Sequence, residues 1–354
     1  MLKYLTRIGI AASLAIASLG TAGAQSLTPV TLAYSNPAMI QGTNLIYIPL
    51  AMKYWEEQGY DVRLVPGRDS TTTVQQLVGG NADVIMLNTS PVIAANIRTN
   101  GDVRSLIISS YTAWRLFTLK DGPTDFEQLR GKNIGVPTVS SGGQTYLEDA
   151  LRKRGIDPEK DVRIVVAGFG AQAMEALKSG RVDAMLTFQI QAAQYQQQGM
   201  DLNILYDEDW VQFPDHGLAT TKALAEKDPK MVEAIARGFA MAQVFEQANP
   251  ECSARIYNKL YVRDLTPQIE EMHKFAAKIS QEQRERDFAT AGGKLWGNID
   301  PAGLDKLQAF LVKNKVLEAP VDSSTLIIDP EMFAKANDFD HEKVKQDAIA
   351  CKGF

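Results

Sequence analysis

The chain has 354 residues, a formal charge of −5 and 45% hydrophobic residues, which suits a globular protein of about two domains. With 37 basic against 42 acidic residues, its mildly acidic balance excludes nucleic acid and anionic lipid as electrostatic partners. Three histidines without His-x-x-x-His spacing, and the lack of Cys-x-x-Cys, Walker and Gly-x-Ser-x-Gly motifs, offer no metal, cofactor or enzymatic chemistry.

The first residues read as a secretory signal peptide over residues 1–24. Lys3 and Arg7 form its basic region, Ile8 to Leu19 its apolar core and Ala22-Gly23-Ala24 a small-residue cleavage site. Cleavage would leave an exported chain of charge −7, most simply periplasmic, with no later apolar stretch long enough to span a membrane. Two cysteines, Cys252 and Cys351, are then expected to pair, tying the C-terminal tail to the body and contributing about 4 kcal/mol in the chain-entropy view. The alternative is two buried free thiols.

In chain order, "VTLAYS" (Val30 to Ser35) reads as a strand and Ile46 to about Gln58 as an amphipathic helix. "DVRLVPGRDSTTTVQQLVGGNADVIML" from Asp61 is strand, turn, helix, strand, and Ser90-Pro91 opens a further helix. "VRSLIISSY" and "WRLFTLK" are buried strands, and "NIGVPT" is a strand leading through Ser140-Ser141-Gly142-Gly143 into a helix. "DVRIVVAGFGAQAMEALKSGRVDAMLT" from Asp161 is again strand, turn, helix, strand. Lys222 to about Leu317 is helical, broken at Pro229, Pro250, Pro267 and Gly292-Gly293, and the tail beyond Glu318 reads as mostly extended and surface-wrapping.

The two β-α-β segments form a gapless repeat at an offset of one hundred residues. Asp61/Asp161, Val62/Val162, Arg63/Arg163, Val65/Val165, Leu77/Leu177, Gly80/Gly180 and Asp83/Asp183 are identical. Gly168-Phe169-Gly170 alone resembles a dinucleotide turn, but the ribose-binding acid expected at the end of the next strand is missing: Phe188-Gln189 stands there. The repeat favours a shared scaffold with different ligand contacts.

Three helix-opening turns are candidates for anion capture through free N–H groups: Asp69-Ser70-Thr71-Thr72, Asn88-Thr89-Ser90 and Ser140 to Gly143. For each, the bland alternative is ordinary capping. Tyr34, Tyr47, Tyr111, Trp114, Phe169, Phe188 and Phe213 flank the same strand edges, about half of them expected to face a cleft. Arg68, Arg115 and His216 are candidate partners for an anion, each weighed against a surface salt bridge. The expected ligand-binding set is Tyr34, Asn44, Tyr47, Arg68, Ser70, Thr71, Asn88, Thr89, Ser90, Trp114, Arg115, Ser140, Ser141, Gly142, Gly143, Phe169, Phe188, Gln189 and His216.

Residues Pro49, Gly59-Tyr60-Asp61-Val62, Gln76-Leu77 with Gly80 and Asp83, "FEQLRGKNIGVP" and "GRVDAML" together resemble the sulfonate/nitrate/thiamine-precursor branch of ABC-transporter substrate-binding proteins. The resemblance runs from about Thr31 to Thr220. It implies a two-lobed α/β periplasmic binding protein of type II, each lobe a mixed sheet flanked by helices, with two crossover strands as hinge. Lobe one would be 26–117 plus 216–317 and lobe two 118–215. It also implies a monomer that traps a small-molecule ligand by hinge closure and presents it to a membrane permease. The expected ligand is a small organic anion, a sulfonate or an aromatic or alkyl carboxylate, with a pyrimidine-type vitamin precursor as the alternative. A receptor-coupled sensor and an enzyme like the thiamine-pyrimidine synthases are the alternative classes. The cysteine-rich motif of that enzyme branch is missing here, as no cysteine precedes Cys252.

Overall fold

The computed structural model describes residues 26–138, 141–298 and 300–354; the leader expected over residues 1–24 and the candidate Ser140 lie outside them. The first unit runs β1 (Thr28–Tyr34), α1 (Asn44–Ala51), β2 (Tyr60–Pro66), α2 (Ser70–Val78), β3 (Val84–Asn88), α3 (Thr89–Arg98) and β4 (Val103–Ile108). The second runs β5 (Trp114–Leu119), β6 (Asn133–Val136), α4 (Gln144–Lys153), β7 (Arg163–Val166), α5 (Gly170–Lys178), β8 (Ala184–Phe188), α6 (Gln189–Gln197) and β9 (Leu202–Leu205). The chain then returns to the first sheet as β10 (His216–Thr221) and continues as α7 (Lys222–Lys227), α8 (Pro229–Ala248), α9 (Pro250–Tyr261), α10 (Pro267–Thr290), α11 (Pro301–Lys313), α12 (Met332–Ala336) and α13 (His341–Ala350).

The two five-stranded sheets have the same layout, β2-β1-β3-β10-β4 and β7-β6-β8-β5-β9. In each, three parallel strands are followed by an antiparallel pair whose inner strand arrives from the other unit or leads away from it. The repeat explains why. After α2 and α5 the chain turns through Gly80 and Gly180, both at φ 72°, a left-handed conformation that glycine adopts without Cβ strain. Asp83 and Asp183 then accept from the backbone N–H groups of Thr31 and Asn133, at 2.7 and 2.9 Å. Each carboxylate thereby ties its β-α-β segment to the strand beside it.

Three expectations need correction. Trp114 to Phe117 belong to the second sheet, because β5 pairs antiparallel with β8 and β9; the first crossover lies at 109–113. Helix α11 does not belong to the first unit alone: it touches α3 there, but it also packs on the second unit, where Phe310 stacks on Tyr146 (centroids 5.0 Å) and meets Phe213, while Lys313 and Asn314 bind Asp149. The tail is helical, because apolar residues at helical spacing, Val344 and Ala348 with Cys351, have a core to enter beside α8. Cys252 and Cys351 are joined in a disulfide, which holds α13 against the start of α9. Helices α8, α9 and α10 each begin at the proline read as a break, with Asp228, Asn249 and Thr266 capping them.

Candidate functional site

The two crossovers run side by side. Ser109 and Thr112 donate backbone N–H groups to His216 and Phe213, at 2.8 and 3.0 Å, and Asp215 donates to Ser110 at 2.9 Å. This short antiparallel ribbon forms the back wall of a cavity between the units. The space between the units measures about 1020 Å³ when its mouth to open solvent is included.

The carboxyl ends of the third strands meet there with opposite chemistry. In the first unit β3 ends in Asn88, which pairs in register with His216 of β10. The Asn88 Nδ2 donates to Asp215 Oδ1 at 2.8 Å. In the second unit β8 ends in Phe188, in register with Trp114 of β5, and their rings lie 4.1 Å apart. Asn88 and Phe188 are one repeat apart. One unit therefore offers a polar floor and the other an aromatic one. Gly143 serves the aromatic floor: a methyl group there would sit 2.4 Å from the Trp114 ring, so the glycine lets the loop and the indole touch.

Helix α10 supplies the third side with Ser280, Gln283, Arg284 and Asp287. The guanidinium of Arg284 is already committed. Its Nε donates to Glu246 Oε2 at 2.5 Å and an Nη reaches Asn44 Oδ1 at 3.2 Å, while the Asn44 amide binds the other Glu246 oxygen. Glu246 is fully buried. Burial makes the two remaining carboxyls weaker acids than usual. Burial pushes Asp215 up to about 7, against the opposing Asn88 hydrogen bond and with Asp287 adding to the rise. Burial likewise raises Asp287 to about 6. Burial and the Arg284 charge lower His216 to about 4, so it is neutral at physiological pH. The cavity thus carries one paired cation, two carboxyls whose ionisation is raised toward neutrality and no other charged side chain among the described lining residues.

Of the expected ligand-binding residues, Ser70, Asn88, Trp114, Ser141, Gly142, Phe169, Phe188 and His216 line this cavity. Others do not. Tyr34 and Tyr47 are core residues, with the Tyr47 hydroxyl turned to Gln41 and Ser253. Arg68 is exposed on a separate shallow hollow with Gln75 and Asn81, and Thr71 is exposed. Arg115 points outward, its Nη1 donating to the Trp114 carbonyl and its guanidinium lying over Tyr206 at 4.5 Å. Gln189, Ser90 and Gly143 are not lining residues; Asn44 acts behind the wall through Glu246 and Arg284.

In two of the anion-capture turns one helix-opening N–H group is already taken. Asp69 closes a capping box with Thr72, and Thr89 gives both its N–H and its hydroxyl to the Asp215 carbonyl. The missed residues include Asn36 and Thr138, one beyond β1 and one beyond β6, where the strand-edge rule points. The α10 face was legible as a polar stripe at positions 280, 283, 284 and 287, helical spacing on a side that should have been apolar if it were core.

Among the described residues no group of three or more His, Cys, Asp or Glu is placed to hold a metal ion, and no helix is long and apolar enough to cross a membrane. The riboflavin-binding protein RibY of Chloroflexus aurantiacus is 22% identical over 306 residues, covering 84% of each chain. Solved structures share the fold. A putative periplasmic sulfonate-binding protein SsuA of Methylobacillus flagellatus KT superposes with a TM-score of 0.59 (18% identity, 93% and 97% of the two chains). The periplasmic nitrate-binding protein NrtA of Synechocystis PCC 6803 gives 0.60 (15%, 92% and 89%), and the desulfurization enzyme DszB 0.57 (18%, 87% and 98%). The fold therefore hosts both binding proteins and an enzyme. Residues 44–253, more than half of the chain, match the NMT1/THI5-like family, and the chain belongs to it.

Proposed function

We propose that the protein is the extracytoplasmic solute-binding component of an ABC importer, and that its ligand is an uncharged planar nitrogen heterocycle of the pyrimidine or flavin kind. One observation carries the ligand reading: a polar floor of Asn88 and Asp215 faces an aromatic floor of Trp114 and Phe188, with no unpaired cation beside them. A carboxyl that keeps its proton near neutrality can both donate and accept, which suits ring N–H and C=O groups. Stacking on an aromatic pair adds about 0.5–1.5 kcal/mol beyond burial. The RibY relative supports a heterocyclic ligand.

This shifts the balance from the organic anion favoured by the sequence. An anion there would find no free cation, because Arg284 is already engaged by Glu246 and Asn44. The anion reading keeps one support, Ser141 and Gly142 in a cavity wall that also holds Arg284. Calorimetric titration of the purified protein decides between them. Lumichrome, riboflavin and thymine are set against taurine, benzoate and nitrate; saturable binding confined to the heterocycles is expected, and binding confined to the anions overturns the reading. Scattering with and without the bound compound should show compaction as the units close, and import should require a membrane permease.

A further inference from the structure

A second cavity adjoins the first and shares Ile40 and Phe169 with it as common walls. It lies between α5 and α6 of the second unit and α9 and α10, and encloses about 1270 Å³, partly open to solvent. Its lining departs from the rest of the molecule. In a chain with 22% charged residues, none of its fifteen described lining residues is Asp, Glu, Lys or Arg, and five are glutamines. His273, its one titratable imidazole, is lowered by burial and so neutral at physiological pH.

The carboxamides are held in place. Gln41 is buried and gives its amide to the His273 carbonyl at 2.5 Å. Gln194 reaches across from α6 to the Gln41 oxygen at 3.3 Å, and Gln198 touches Met272 of α10. Each carboxamide presents both donor and acceptor capacity, while Met174, Met272 and Tyr195 supply apolar walls. Gly168 and Gly170, at φ 81° and 54°, flank Phe169 and hold it as the ridge between the two spaces.

We infer that this second compartment receives an uncharged, hydroxyl-bearing side chain of the ligand while the ring occupies the first. Hydroxyl groups match paired donors and acceptors, and chain methylenes match the methionine and tyrosine walls. A charged group would find no counter-charge. The inference rests on the heterocycle reading above and extends it to the shape of the whole ligand.

The test measures dissociation constants by flavin fluorescence and calorimetry for lumichrome, riboflavin and flavin mononucleotide. Riboflavin and flavin mononucleotide share the isoalloxazine ring and differ by a phosphate; lumichrome is the alloxazine tautomer without the ribityl chain, so lumiflavin, which keeps the isoalloxazine ring with a methyl group in place of ribityl, is titrated beside it. Riboflavin is expected to bind about tenfold or more tighter than lumichrome and lumiflavin, since the ribityl hydroxyls add two or three hydrogen bonds, and tighter than flavin mononucleotide. Gln194→Met and Gln198→Met, which keep the side-chain length and remove the carboxamide, should narrow the riboflavin-to-lumiflavin ratio with the melting temperature held. Equal affinity for lumiflavin and riboflavin overturns the second compartment alone. Tighter binding of flavin mononucleotide overturns its assignment to uncharged groups. Binding of none of the four overturns the heterocycle reading and this one with it.

Discussion

The two β-α-β units differ most where they are most nearly equivalent. Positions one hundred residues apart keep their roles wherever the scaffold needs them: Gly80 and Gly180 turn at the same φ, and Asp83 and Asp183 tie the same neighbouring strand. At the cavity the same offset exchanges chemistry. Asp69 is a closed cap and Phe169 an uncapped wall; Asn88 is a polar floor and Phe188 an aromatic one. A duplicated frame thus supplies two unlike surfaces aimed at one space. That is how a symmetric scaffold can bind a ligand whose edge and face have different chemistry.

The largest expected effect tests whether the units are separately stabilised. The Cys252–Cys351 bridge spans 99 residues and pins α13 onto the core of the first unit, where Val344 and Ala348 pack. The Cys252→Ser/Cys351→Ser protein should lose about 4 kcal/mol in denaturant unfolding, with hydrogen-exchange protection falling in α8, α9 and α13. An equal loss of protection in β6, β7 and β8 would show that the strap serves both units and break the comparison.

The next effect asks whether the repeat is symmetric in energy as well as in geometry. Asp83→Ala and Asp183→Ala each orphan a backbone N–H, of Thr31 or Asn133, at the edge of a parallel strand. Each should cost about 1–3 kcal/mol, the range for an unpaired, partly buried donor. Values that agree within about 0.5 kcal/mol support equivalent tethers; a cost confined to one unit means that the other holds its strand by packing.

A third, on the order of 2 kcal/mol, separates the polar floor from the aromatic one by pH. The folded protein holds the Asp215 proton up to about 7, above the ordinary 3.8. Stability from this group is therefore greatest below about pH 4 and is lost as pH rises through 7. Asp287, raised to about 6, acts in the same direction. His216, lowered to about 4 from 6.5, acts oppositely: its contribution is present above 6.5 and lost as pH falls through 4. Asp215→Asn keeps an acceptor for Asn88 and removes the titration. It should raise stability at about pH 8 and leave it little changed near pH 4; an unaltered pH profile would place the titration elsewhere.

Much of the frame was legible because it follows from local rules. Proline at the first helical turn marked α8, α9 and α10, and the repeat marked both β-α-β segments before any sheet was known. The site was legible where a strand edge delivered a residue directly, as with Asn88, Trp114, Phe188 and Ser141. It was opaque where long-range partners decide. Arg284 is set by Glu246 and Asn44, 38 and 240 residues away, and Arg115 is drawn outward by Tyr206. Nor could local pattern show that α11 would also pack on the second unit, since an apolar stripe specifies burial and not which core receives it.

The smallest stability effect is also the sharpest contrast, because it sets the two repeat-related turns directly against each other. Asp69 satisfies the Thr72 N–H at 2.8 Å and is not itself among the lining residues of the cavity, so Asp69→Ala should cost about 1 kcal/mol, the usual worth of a cap, with ligand affinity unchanged. Phe169 caps nothing and is half-buried between the two compartments. Phe169→Ala should therefore move stability by less than about 0.5 kcal/mol, while weakening binding about tenfold through the lost wall. Denaturant midpoints and titrations on the same two proteins give all four values. If Asp69→Ala weakens binding as much as Phe169→Ala does, the two turns share one role, and the division of labour between the units fails at the position where it is most exposed to test.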